Sequence, residues 1–170
     1  AMFTMPETIT YALPEQIGNT ALFVGRKKEF DYFLGDWYYY LQNNMAQSQA
    51  IVARRKKGKT AFLQRLFNIF WSNPEGGIIP FYYSIKDMDT TLSEFSKSFF
   101  ATFASHYLSY TRRNPEYIRT PHTFESLEEV IEIAPELGRP YLSMQDSKKE
   151  SEWGLMWEVA SRAPFEIALA

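Results

Sequence analysis

The chain contains no cysteine and only two histidines, His106 and His122. The first absence removes disulfides, thiol catalysis and thiolate metal sites together, and fits a reducing compartment. Two histidines so far apart in sequence argue against a His-built metal centre. No apolar run approaches the roughly 18–20 residues that a membrane span needs. The N-terminus also lacks a charged-then-apolar signal segment. A cytoplasmic protein without a membrane partner is the expectation. The formal net charge is only −2, so a generally basic nucleic-acid binder is not expected, despite a local basic run at Arg54–Lys57. At 170 residues the chain fits one domain with a core of its own. What it has in excess is rings, with 14 Phe, 11 Tyr and 4 Trp. They imply an aromatic core, with the surplus at a surface or interface.

Residues 1–21 carry Pro6, Pro14 and Gly18 and read as an extended lead-in. Phe30, Phe33, Leu34, Trp37 and Leu41 recur at three- and four-residue steps, which predicts a helix over 27–43. Tyr38, Tyr39 and Tyr40 are about 100° apart on that helix, so at least one must face away from its core side. Residues 49–53 read as a short buried strand. A helix from Gly58 to about Trp71 follows, with Leu63, Leu66, Phe67 and Phe70 on one face. Asn73–Gly77 is a stop. Residues 78–85 read as a second buried strand, with an irregularity at Pro80. Strand, helix and strand at this spacing imply a parallel pair joined by a right-handed crossover.

Thr91-x-x-Glu94 has the capping-box pattern and opens a helix to about Tyr110, with Leu92, Phe95, Phe99, Phe103 and Tyr107 inward. Residues 111–123 form a loop. A shorter helix over 124–134 is ended by Pro135 and Gly138. Ser147-x-x-Glu150 starts another, carrying Trp153, Met156, Trp157 and Ala160 on one face, with Pro164 beyond its end.

The chemistry concentrates in Ala53-Arg54-Arg55-Lys56-Lys57-Gly58-Lys59-Thr60-Ala61. The phosphate-binding pattern is G-x-x-x-x-G-K-[ST], and its last three positions match here, with Ala53 at the first. Desolvating a polyphosphate demands many donors in a small concave space. Backbone N–H groups and a helix N-terminus supply them. Gly58 lets backbone pass close to phosphate, Lys59 reaches the β- and γ-phosphates, and the Thr60 hydroxyl can ligate Mg²⁺. Arg54, Arg55, Lys56 and Lys57 add positive charge. Ala53 is expected in an ordinary β or bridging conformation, where its methyl group is tolerated.

With these residues in hand, the chain resembles the N-terminal part of AAA+/STAND-type P-loop ATPases. Leu22-Phe23-Val24-Gly25-Arg26-Lys27-Lys28-Glu29-Phe30 resembles their opening motif, 54–65 their loop and following helix, and 79–87 their second core strand and turn. The resemblance implies a three-layer α/β/α P-loop fold with a parallel sheet, here incomplete and helix-rich, spanning 22–170. It places Val24, Gly25 and Arg26 beside adenine, makes ATP and Mg²⁺ the cofactors, and gives Asp87 a turn or helix-start role. The family's Walker B strand, with its Asp and Glu, is not found, nor are later arginine-finger and sensor positions. The chain is therefore expected to be the ordered part of a longer signal-transducing or remodelling ATPase, binding ATP through 53–60 without hydrolysing it alone. An alternative keeps the scaffold as a non-hydrolysing protein-interaction module, with a protein partner or self-association through the surplus rings.

Overall fold

In a computed structural model the described residues are 3–15, 27–39, 59–84, 91–147 and 153–169. Every regular element among them is helical. Helix α1 (Lys27–Tyr32) continues through a π-helical turn, Phe33–Trp37, and α2 spans Lys59–Trp71. After a short turn of helix at Pro74–Gly76 come α3 (Leu92–Thr111), α4 (Glu116–Arg119), α5 (Leu127–Ile133), α6 (Gly138–Asp146) and α7 (Trp153–Leu169). The chain divides into two compact units, Ala1–Pro80 and Phe81–Ala170. No helix of the described residues is long and apolar enough to cross a membrane.

The expected α/β fold with a parallel sheet is thus corrected. Residues 78–84 carry no strand pairing, while residues 49–53 lie outside the described residues. The reason is visible in what 81–84 pack on, which is a helix. Phe81 meets Phe99, Phe103 and His106 with ring centroids at 5.1, 5.5 and 5.7 Å. Tyr83, two residues on, meets Phe95 at 5.6 Å and Phe99 at 5.3 Å. Alternate rings thus match successive turns of α3. The Tyr82 N–H donates to His106 Nδ1 at 3.2 Å, where a neighbouring strand would offer a carbonyl.

In the first unit α2 is the hub. Tyr38, Phe62, Leu66 and Phe70 form its buried cluster, joined by Phe30, Phe33, Leu34 and Trp37 from α1 and by Phe3. Tyr39 points to solvent at 59 % exposure, as the 100° spacing requires. The other face of α2 is polar and holds residues 4–15. Asn68, fully buried, accepts from the Leu13 N–H and donates to the Leu13 carbonyl, both at 2.9 Å. Ser72 Oγ accepts from the Thr10 N–H at 2.7 Å, and Asn73 Nδ2 donates to the Thr4 carbonyl at 3.0 Å. Arg65 grips the Glu15 carboxylate with two hydrogen bonds, at 2.7 and 2.9 Å.

In the second unit α3 is the hub. Its N-cap is Thr91, whose hydroxyl accepts from the Glu94 N–H at 3.1 Å. One inward stripe was the expectation, yet every residue from Phe103 to Tyr110 is buried, and Leu92 is exposed. Ser105 and Ser109 satisfy their buried hydroxyls on the Ala101 and His106 carbonyls. Small side chains of this kind let neighbours approach from all sides. Helix α7 packs along α3, with Trp157 against Phe95 and Phe99 at 5.1 and 5.2 Å and Met156 Sδ accepting from Ser93 Oγ, while Ala160, Ala163 and Ile167 are buried along it. Pro164 lies inside α7 rather than past its end. It removes one N–H from the ladder, and the buried face on both sides of it offsets that loss.

Candidate functional site

Of the residues singled out for nucleotide binding, Val24, Gly25, Arg26, Ala53, Arg54, Arg55, Lys56, Lys57 and Gly58 lie outside the described residues, as does Asp87. Lys59, Thr60 and Ala61 are described, and they form the first turn of α2. Ala61 is 2 % exposed and belongs to the core, while Thr60 is half-buried. Residues 59–71 are helical, which the Gly-Lys-Thr pattern requires on its helical side. No acidic residue stands in that first turn, so nothing there repels an anion. The first amide N–H groups of a helix have no acceptor within it, and the macrodipole adds about half a positive charge.

The ring contacts between α1 and α2 fix their relative direction. Phe30 and Phe33 meet Phe62 at 4.7 and 5.7 Å, whereas Trp37 and Tyr38 meet Phe70 at 5.8 and 6.4 Å. Contacts advance along both helices together, so the two run the same way. Their N-terminal turns therefore lie at one end of the pair. Among the described residues, Phe30 of α1 packs on Phe62 near this end of α2.

The second unit holds two further polar features. His106 is buried among rings, and its pKa is lowered to about 4 by desolvation. Its imidazole is neutral at pH 7, with Nδ1 accepting from Tyr82. Tyr107 donates its hydroxyl to the Glu136 carboxylate. Burial first, and that carboxylate second, push the phenol up to about 12. The same hydrogen bond holds Glu136 below the usual carboxylate range. The first holds residues 81–84 to α3 and the second holds the helical turn Pro135–Leu137 to α3. A shallow groove of about 600 Å³ between α6 and α7 is lined by Arg139, Pro140, Leu155, Val159 and Arg162 among others. Arg162 is already paired with Glu158 at 2.9 Å. Among the described residues no group of three or more His, Asp or Glu could hold a metal ion.

The polar face of α2 was not foreseen in the sequence. Arg65, Asn68 and Ser72 recur at three- and four-residue steps, the same spacing that marks the apolar face. That recurrence is the signal that could have found it.

Comparison with protein-family models, curated proteins and solved structures finds no match to this chain.

Proposed function

We propose that the chain binds ATP as its Mg²⁺ complex, through residues 53–60 and the first turn of α2, in the manner its resemblance to AAA+/STAND ATPases implies. Lys59 contacts the β- and γ-phosphates, the Thr60 hydroxyl faces the Mg²⁺ ion, and Val24, Gly25 and Arg26 lie toward adenine. The observation that supports this reading most is the packing of Phe30 on Phe62 at 4.7 Å. It joins α1 and α2, the helices that follow the two motifs in sequence, a juxtaposition that a nucleotide touching both would need. The acid-free first turn of α2 supports the phosphate half of the site. The proposal is of binding and not of turnover, in a cytoplasmic setting.

Titration of a fluorescent ATP analogue with Mg²⁺ tests it. The wild-type chain should bind, and Lys59→Ala should weaken binding by at least about a hundredfold, as expected for losing a charged phosphate contact. Equal binding by both proteins, or binding by neither, sinks the proposal. A second reading, as a partner-binding module, is favoured by the exposure of Leu142, Leu155 and Phe165 on α6 and α7, at 60, 54 and 47 %. It gains if neither protein binds nucleotide.

A further inference from the structure

Helices α6 and α7 carry three of the large apolar side chains that stay exposed, Leu142, Leu155 and Phe165, and the groove of about 600 Å³ lies between these same helices. Leu155, Val159, Arg162 and Glu166 line it from α7. Their steps of four, three and four put them on one stripe of that helix, which makes a wall about 16 Å long. Pro140, Val159 and Ile167 give the groove an apolar lining.

The charges along it are unequally engaged. Glu136 and Arg139 stand three residues apart, a spacing at which opposite charges can meet. Glu136 instead accepts from the Tyr107 hydroxyl, and Glu158 is taken by Arg162. Arg139 and Glu166 have no ion-pair partner among the described residues. The groove therefore offers one unpaired cation from α6, one unpaired anion from α7, and apolar surface with them. Its walls are helices, whose backbones are paired within themselves. An extended peptide would find no row of main-chain partners there, whereas a helix satisfies its own backbone and needs side-chain contacts alone.

We propose that the α6–α7 groove docks an amphipathic helix of a protein partner, its apolar stripe on Pro140, Leu155 and Val159, an acidic flank toward Arg139 and a basic flank toward Glu166. About three turns of helix match the length of the wall. Leu142 and Phe165 each directly precede a lining residue, Ser143 and Glu166, and widen the apolar contact. The two rim charges set the roll of the bound helix more than its affinity. This deepens the partner-binding reading and uses no residue of the nucleotide one, so a failure to bind ATP leaves it standing, and the reverse.

A labelled three-turn peptide tests it, held helical by a side-chain bridge, with a leucine stripe between a Glu flank and a Lys flank. Fluorescence anisotropy on the full chain should show saturable binding. Leu155→Asp, at an exposed position, should weaken binding at least about tenfold. Arg139→Glu and Glu166→Lys should each weaken it about fivefold. The double variant should restore it, because the peptide can turn end for end and meet the exchanged charges. A merely sticky surface would not give that rescue. Absence of binding to the wild-type chain, binding unchanged by Leu155→Asp, or a double variant weaker than both singles overturns the proposal. So does a wild-type chain that is dimeric by light scattering and monomeric as Leu155→Asp, since a second copy would then fill the groove.

Discussion

The two units solve one problem in opposite ways. Each lays an irregular segment along a helix buried on most sides, α2 under residues 4–15 and α3 under residues 81–84. In the first unit the join is polar and directional, built on Asn68, Ser72 and Arg65. In the second it is aromatic, built on Phe81 and Tyr83 against Phe95, Phe99 and Phe103, with the Tyr82–His106 hydrogen bond as its polar fixture. Ring packing loses stability in proportion to area removed, whereas a buried polar pair fails abruptly when one partner goes. The first unit should be the more brittle.

Asn68→Ala is the hardest blow to that contrast. It strands both the N–H and the carbonyl of buried Leu13, and should destabilise the first unit by about 4 kcal/mol, taking two buried groups at about 2 each. Urea unfolding followed by segment-resolved hydrogen exchange would show it; a loss no larger than that of an exposed substitution would erase the difference in brittleness. Next comes acid. His106 has its folded pKa depressed to about 4 from 6.5, so the unfolded chain takes up a proton first as pH falls. Stability of the second unit is therefore full above the unfolded value and drops through the window down to the folded one, by about 3 kcal/mol. His106→Gln retains a hydrogen-bond acceptor and should flatten the slope in the upper part of that window, above the carboxylate range. An unchanged slope would detach the effect from His106. The smallest effect is at the cap. Thr91→Ala should lower the stability of α3 by about 1 kcal/mol, read as a shift in the denaturation midpoint with an unchanged slope.

Punctuation by local chemistry made some elements legible. The hydroxyl of Thr91 and the amide of Glu94 meet as the capping pattern expects, and residues 59–71 are helical as the spacing of Leu63, Leu66, Phe67 and Phe70 expects. Proline was legible in part. Pro135 and Gly138 read as a stop, and α5 does end at Ile133, but the chain also uses both residues as starts. Pro135 opens a turn of helix, Gly138 is the first residue of α6, and Pro140 sits in its first turn, where a missing N–H removes no intrahelical bond. Pro164 read as lying past a helix end, but a continuous buried face carries α7 through it. The stretch 78–84 has the composition of a strand but forms no regular element. Residues 81–84 lie against a helix, and local pattern does not say what such a segment will lie against. At the candidate site, Lys59 and Thr60 were legible as helical residues. The contacts of Arg65, Asn68 and Ser72 were not, because polar residues on a helix ordinarily mean solvent, and only tertiary context puts Leu13 over Asn68.

The sequence separation of that last pair has a kinetic consequence. Leu13 and Asn68 are 55 residues apart. During synthesis residues 4–15 leave the ribosome ahead of the helix that receives them, which follows on the order of 5 s later at ~10 residues per second. For that interval Ala12 and Leu13 have no α2 to pack against. A segment made before its helix thus settles after it, and its docking closes the long loop only once α2 has formed.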